Sequence, residues 1–370
     1  MSIRVLVFGM TDNPGGMESC VMNYYRNIDK RYVQFDFLCN WDNMVYADEV
    51  KENGSVIYTI PQRSKDYKAY KKAMDDFFEK HAGEYDVLWY NTCTLANIDY
   101  LIYAKKYGII KKRIIHAHNS GNETSKLRGM LHYINRMRVN RYATDFWSCS
   151  MAASKYFFNE KQIASGRHHI INNAIQTEDF KYDRQRRKQL REKYNIDDKY
   201  VIGHVGRFQT QKNHDFLVDI FYKYLEYDEN AVLMLVGQGE NERAIKGKVR
   251  DLGISDKVIF MGARDDVNDL LQVMDVFVLP SLFEGLGIVL IEAQAAGLSC
   301  ITSKDVVPEV VNITGNVEFI ALDEDIDKWA KEILKKKKIT EDRAGSIQLI
   351  KEAGFDIKTE MGKFVSYLTE

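Results

Sequence analysis

Short apolar runs alternate with longer amphipathic stretches along the whole of this chain, and that alternation decides its fold class. An apolar strand followed by an amphipathic helix is the repeating unit of a parallel sheet with helices on its faces. In the first half, strands are expected near Arg4–Phe8, Gln34–Leu38, Val56–Tyr58, Val87–Tyr90, Ile114–His116, Phe146–Cys149 and His169–Ile171. Helices fall between them, among them Met17–Asn27, Tyr67–His81 and Ile98–Tyr107. In the second half, strands are expected near Val201–Val205, Val232–Val236, Val258–Met261, Val276–Leu279, Cys300–Thr302 and Glu318–Ile320, with helices over His214–Leu225, Glu240–Leu252 and Val267–Met274. At 370 residues the chain is too long for one ordinary core and suits two domains of about 170 to 190 residues. The expectation is α/β, with two doubly wound, Rossmann-like parallel sheets.

The boundary is expected at the turn-like Asn172-Asn173-Ala174-Ile175, which precedes the charged segment Lys181–Lys193. The domains are then residues 1–175, residues 176–353 and a terminal segment, 354–370, whose apolar positions over Ile357–Leu368 have helical spacing. Five scattered cysteines form no C-x-x-C pair, so neither a zinc site nor a disulfide framework is indicated, and a reducing, cytoplasmic setting is expected. The opening apolar stretch Ile3–Met10 is short, carries Arg4 and reads as a strand, not a signal peptide. No apolar run approaches the roughly 18 residues that span a bilayer. Net charge is −1 but unevenly spread: residues 1–175 carry 24 Lys and Arg against 18 Asp and Glu, a net of +6, and the other 195 carry 28 against 35, a net of −7. That asymmetry fits an anionic partner for the first half, or ordinary variation between two surfaces. Near-neutral total charge and the lack of a nucleic-acid motif exclude a nucleic-acid binder.

Four motifs carry chemistry. In Phe283-Glu284-Gly285-Leu286-Gly287-Ile288-Val289-Leu290-Ile291-Glu292, two carboxylates lie eight residues apart. A helix beginning near Gly287 offers free N–H groups and a positive dipole end to a phosphate. Glu284 then sits just before that end and Glu292 more than a turn inside, and each can accept hydrogen bonds from hydroxyls. Arg207 and Lys212 flank the loop that follows Val201–Val205, where a guanidinium fork and an ammonium suit a leaving diphosphate. Thr11-Asp12-Asn13-Pro14-Gly15-Gly16 lies between the first strand and a helix, so its glycines let a ligand come close to the backbone. His116 and His118 end the strand Ile114–His116 on one face, with His118 nearer the edge.

Other patterns point elsewhere or nowhere. The dinucleotide fingerprint fails at Gly237-Gln238-Gly239, which has Glu242 three positions on, so no nicotinamide or flavin cofactor is expected. The glycine pair reads as a tight turn lining the nucleotide site. The acidic pair Asp265-Asp266 is adjacent and stands at a helix start, which does not suit metal chelation. Between Lys111 and Arg141, eight Lys and Arg face one acid, Glu123, and Leu127, Met130, Leu131, Ile134 and Met137 recur at helical spacing. This basic amphipathic helix suits an anionic membrane surface, with Lys126, Arg128 and Arg136 as candidate contacts, and equally a core-packed helix with a solvated basic face. The charge run Lys335–Lys338 reads as a solvated helix end.

In its ordered set of motifs the chain resembles the retaining glycosyltransferases of GT-B fold, family 4 (glycosyl transferases group 1): Gly15-Gly16, His118, Gly206-Arg207 with Lys212-Asn213, and the Glu284 to Glu292 element. The nearest likeness is to bacterial enzymes that build capsular or exopolysaccharide repeat units. The resemblance implies two Rossmann-like domains facing a central cleft, with the terminal helix packed back on the first domain. It implies a hinge at Asn173, where the family often has glycine and a left-handed backbone is tolerated. It implies a nucleotide sugar as donor, most often UDP-linked, no essential metal and no cofactor. Catalytic roles pass to His118, Arg207, Lys212 and Glu284. Donor contacts pass to Gly15, Gly16, Gly206, Arg207, Lys212, the backbone of Gly262-Ala263-Arg264, Glu284, Gly285, Leu286, Gly287, Ile288 and Glu292, with Glu292 on the ribose. The expected acceptor is a saccharide or a lipid-diphosphate-linked saccharide at the inner face of the plasma membrane. A sugar-nucleotide epimerase of like architecture, or a binding module without catalysis, are the alternatives.

Overall fold

The computed structural model describes residues 2–108, 110–121, 125–337 and 343–370. Glu123 and Lys338, named above, lie outside the described residues. The chain divides into two compact units, Met1–Ile175 with Ile357–Glu370, and Gln176–Asp356.

The first unit is a seven-stranded, all-parallel sheet. Its strands are β1 (Ile3–Phe8), β2 (Val33–Cys39), β3 (Ile57–Thr59), β4 (Val87–Thr92), β5 (Lys112–Ala117), β6 (Asp145–Ser148) and β7 (His168–Ile170), in the order β3-β2-β1-β4-β5-β6-β7. Central strands covered on both faces are built mostly of apolar residues, which is why they read as apolar runs. Val5, Val7, Trp89 and Ile114 feed one core, with Phe35 and Phe37. Leu6, Leu88 and Ile115 feed the opposite one, with Phe78 and Tyr100. The helix Ile357–Thr369 closes the first of these cores. Phe364 stacks on Tyr24 at 4.3 Å between ring centres and meets Trp89 edge-on at 5.0 Å and Trp147 at 5.5 Å.

The second unit has six parallel strands: β8 (Tyr200–Val205), β9 (Ala231–Val236), β10 (Val258–Gly262), β11 (Val276–Leu279), β12 (Ser299–Ser303) and β13 (Val317–Ile320), ordered β10-β9-β8-β11-β12-β13. Leu233, Leu235, Val278 and Ile301 pack there with Phe221 and Trp329.

In both units the strand order reverses beside the first strand, between β1 and β4 and between β8 and β11. The connections on either side of such a reversal run in opposite directions, so a crevice opens at the carboxyl ends of those two strands. One expectation fails. Asn173 is not left-handed; among non-glycine residues that conformation falls to Tyr46, Asn195, Asn213 and Asp305. The Ala174 N–H instead bonds the Asn172 carbonyl at 2.7 Å, a tight turn that needs no positive φ at Asn173.

Candidate functional site

In the second unit, the loops leaving β8 and β11 hold the candidate donor residues. After β8 come Gly206, Arg207 and a short 3-10 turn, Thr210–Lys212. Asn213 (φ 55°) then swings the chain into the helix His214–Tyr224. After β11, residues 281–287 lead to the helix Ile288–Ala295. The two loops are laced together. The Leu282 N–H donates to the Gln211 carbonyl at 2.8 Å, and Gln211 Nε2 donates to the Phe283 carbonyl at 2.9 Å. Lys212 Nζ reaches Glu284 Oε1 at 2.6 Å, and Ser281 Oγ donates to the same oxygen at 2.7 Å. Both side chains of this ion pair are largely buried, at 17% and 7% exposure, so it is far less screened than a surface pair. Glu284 Oε2 has no partner among the described residues, which leaves it to accept from a hydroxyl.

Gly287 (φ 74°) turns the chain into the helix, and its position offers no capping side chain. None of the backbone N–H groups of Gly285, Leu286, Gly287, Ile288 and Val289 meets an acceptor among the described residues. Five such donors at the positive end of a helix, with Lys212 beside them, form a ready anion site. Glu292 lies in the second turn, among buried Ile291, Ala293 and Gln294. Its carboxylate makes no hydrogen bond among the described residues. Burial lifts its pKa to about 7, against a smaller downward pull from Lys212.

The glycines here serve close packing of backbone. A Cβ on Gly206 would meet His204 Nε2 at 2.9 Å and Lys212 Cγ and Cδ at 3.1 and 3.2 Å, so the lysine stem lies where a side chain would be. A Cβ on Gly237 (φ 134°) would sit 2.1 Å from the Gly206 carbonyl oxygen, and one on Gly239 would sit 2.6 Å from that of Phe208. Gly237 and Gly239 thus let their turn pack closely against the Gly206 loop. Arg207 is half-buried. Arg264 is exposed and forks onto Asp266, Nε to Oδ1 at 2.7 Å and Nη2 to Oδ2 at 2.5 Å, which holds the Asp266 carboxyl below its usual range. Asp-x-Asp tripeptides do occur, at Asp323–Asp325 and Asp325–Asp327, which the motif reading passed over. They follow the edge strand β13, two places along the sheet from β11 and three from β8, and Asp327 is paired with Lys331 at 2.6 Å. Among the described residues no group of three or more His, Cys, Asp or Glu could hold a metal ion.

In the first unit, Gly15 caps the helix Gly16–Asn27 in extended conformation, and a Cβ on Gly16 would point into open space. His118 follows β5, its N–H bonded to the Thr92 carbonyl at 3.0 Å. Its Nε2 lies 2.9 Å from Asn91 Oδ1, while Nδ1 is buried with no partner among the described residues. Burial pushes the imidazole down to about 3, so it is neutral at ordinary pH. His116 is fully buried. Its Nδ1 accepts from Trp89 Nε1 at 3.2 Å and its Nε2 is unmatched, so it is a core group only half satisfied. His168 bonds Ser154 and His169 stacks on Tyr367, both structural.

The helix Lys126–Arg138 is turned opposite to a core helix. Its buried residues are polar: His132 Nδ1 accepts from the Leu95 N–H at 3.0 Å and Asn135 Nδ2 donates to the Leu95 carbonyl at 2.6 Å. Leu127, Met130, Tyr133, Ile134 and Met137 are exposed, Met137 by 68%. The core-packed alternative is therefore excluded. Lys126 and Arg128 lie at its start, and Arg136 donates to the carbonyls of Lys155 and Phe158.

Sequence reasoning passed over Asn91, Ser281 and Gln211. Each is an uncharged polar residue in or after a strand of its sheet, and only the tertiary partner reveals its use.

Comparison with known proteins bears on this geometry. Residues 186–351 match the family model Glycosyl transferases group 1. EpsF of Bacillus subtilis (strain 168), a glycosyltransferase by its name, is 29% identical over 362 residues, 96% of this chain and 93% of EpsF. The UDP-Gal:alpha-D-GlcNAc-diphosphoundecaprenol alpha-1,3-galactosyltransferase of Escherichia coli is 34% identical over 120 residues, 32% of this chain and 29% of that one. Among solved structures, Anabaena HepE in complex with UDP and glucose superposes with a TM-score of 0.79 at 17% identity, covering 99% of both chains. The chain therefore has the GT-B fold and carries, over residues 186–351, a glycosyltransferase group 1 domain, and it is homologous to EpsF.

Proposed function

We propose that this enzyme is a retaining, metal-independent transferase that moves a sugar from a UDP-sugar to a saccharide or lipid-diphosphate-linked saccharide during surface polysaccharide synthesis. The observation that carries the reading is the run of unmet N–H groups from Gly285 to Val289 beside Lys212. The diphosphate sits over those donors, with Lys212 and Arg207 meeting the charge that develops on the leaving phosphate, in place of a metal ion. Glu284 Oε2 takes a hydroxyl of the donor sugar, Glu292 takes the ribose hydroxyls, and the backbone of Gly262-Ala263-Arg264 lies near the base. In the first unit, Gly15 and Gly16 leave room for a ligand and His118 accepts a hydrogen bond from a substrate sugar. Transfer proceeds on one face of the sugar. The acceptor oxygen bonds the anomeric carbon as the bond from that carbon to the phosphate oxygen breaks. The electron pair leaves with the phosphate, and the acceptor proton passes to a phosphate oxygen. The donor and acceptor classes find support in the named ligands of HepE and in the name of the E. coli relative.

The exposed apolar stripe of Lys126–Arg138, flanked by Lys126, Arg128 and Arg136, docks on the anionic inner leaflet, where a lipid-linked acceptor is held. Among the described residues no helix is long and apolar enough to cross a membrane. A thermal-shift screen with UDP-, GDP- and ADP-sugars, with and without EDTA, tests the donor assignment. A shift with the UDP-sugar that survives EDTA is expected. A shift with another base, or one abolished by EDTA, overturns that part. Release of nucleoside diphosphate with no acceptor requirement would favour the epimerase. Flotation with anionic and neutral liposomes tests docking, and equal, negligible binding refutes it.

A further inference from the structure

Asn91 is the penultimate residue of β4, beside the strand-order reversal, and is buried to 1% exposure. Its Nδ2 faces two carbonyl oxygens, those of Phe8 at 3.3 Å and Trp89 at 3.4 Å. Carbonyls only accept, so the amide nitrogen is assigned to that side and Oδ1 to the other. Oδ1 then lies 2.9 Å from His118 Nε2. An amide oxygen also only accepts, so Nε2 must carry the proton. A neutral imidazole has one N–H, which leaves Nδ1 as a bare lone pair. That atom is buried and has no partner among the described residues.

The position of Asn91 is itself built. Gly9, at the end of β1, has φ 127°, and a Cβ there would lie 2.5 Å from the Asn91 carbonyl oxygen and 2.7 Å from Asn91 Cβ. A side chain at Gly9 would push Asn91 out of register with both carbonyls. The His118 backbone is pinned independently by its bond to the Thr92 carbonyl. Strand β4 therefore fixes both where the ring sits and which of its nitrogens is protonated.

We propose that Asn91, seated against Gly9, is the positioning residue that selects the tautomer of His118, holding Nε2 protonated so that Nδ1 accepts a hydrogen bond from a substrate hydroxyl. The substrate half of this statement rests on the sugar-transfer reading above, and the tautomer half does not. His116, 4.0 Å away between ring centres, is the titratable group that faces His118 most closely, and burial keeps it neutral too.

The test uses the full chain with 15N-labelled histidine. Two-bond 15N–1H correlation reads the tautomer of His118, assigned by the signal lost in H118Q. The Nε2–H form is expected in the unmodified protein, and a mixture of tautomers in N91S. The isosteric N91D keeps the acceptor but adds a charge, so the His118 titration should move up from about 3 by roughly one to three units. Below that new midpoint Nδ1 is protonated and no longer accepts. With the donor that gives turnover, N91D should approach normal kcat at pH 8 and lose activity as pH falls to 5, by about twofold for a two-unit rise of the midpoint and about tenfold for a three-unit rise, a loss the unmodified enzyme does not share. N91S should be at least tenfold slower at both pH values. An Nδ1–H tautomer in the unmodified protein, an unchanged tautomer in N91S, or an N91D loss equal at pH 8 and pH 5 would overturn the proposal. Absence of turnover with every donor, in a protein whose His118 carries the expected tautomer, would count against sugar transfer and leave the Asn91 assignment standing.

Discussion

The Glu292 carboxyl is the group whose behaviour tests the donor site most sharply. With a pKa of about 7 in the unliganded protein, it is about one-tenth ionised at pH 6 and about nine-tenths at pH 8. Ribose hydroxyls donate, so they favour the carboxylate. If the carboxylate alone accepts both hydroxyls, affinity for the donor should be about tenfold weaker at pH 6 than at pH 8, which is about 1.4 kcal/mol. Binding at pH 7 should release about half a proton, since half the carboxyls are neutral before binding and the bound form is ionised. The nearby histidines do not confuse the reading: burial holds His214 at about 4 and His204 well below its usual value. Titration calorimetry with UDP-glucose, run in buffers of different ionisation enthalpy, gives both the affinity and the proton count. E292Q should flatten the pH dependence and abolish the proton release. An affinity constant from pH 6 to 8, or an unchanged slope in E292Q, would refute the ribose assignment. The same group links pH to folding. Because its folded pKa lies above its unfolded value, the folded state holds more protons between about 4.5 and 7, and stability falls as pH rises through that window.

Further expectations concern the loops and the terminal helix. K212A removes the cation beside the anion site and should cut kcat by roughly 10²- to 10³-fold with the fold retained by circular dichroism; near-normal turnover would exclude its role at the leaving phosphate. G206A and G237A should differ in kind. The first presses on the buried His204 ring at 2.9 Å and on the Lys212 stem, and should slow turnover with a smaller loss of Tm than the second. The second drives a Cβ into a carbonyl at a positive φ and should lower Tm by several degrees in a melting experiment. F364A empties the ring position against Tyr24, Trp89 and Trp147 and should cost about 3–5 kcal/mol in denaturant unfolding of the first unit.

The strands were legible because a parallel sheet covered on both faces buries mostly apolar residues. Ala231–Val236 and Val276–Leu279 are wholly buried and read as apolar runs. The helix start after Gly287 was legible for a local reason too, a glycine placed where φ must be positive. Long-range pairing was not. Lys212 and Glu284 stand 72 residues apart, and no local pattern says that their loops are laced through Gln211. The direction of the helix Lys126–Arg138 was equally hidden. Its spacing defines an apolar stripe, but the inward side is chosen by two hydrogen bonds to Leu95, which a periodicity cannot register. Asn173 shows the opposite error: a residue tolerant of a left-handed backbone need not adopt one when a neighbouring turn already redirects the chain.

The helix Ile357–Thr369 belongs to the first unit yet follows the second in the chain. During synthesis, residues 1–175 leave the ribosome with Tyr24, Trp89 and Trp147 lacking the Phe364 ring that covers them. At about 5–20 residues per second, the 181 residues of the second unit take roughly 10 to 40 seconds to appear. Throughout that interval the nascent first unit carries an open aromatic seam, so chaperone contact with this protein should concentrate there and end when the terminal helix arrives.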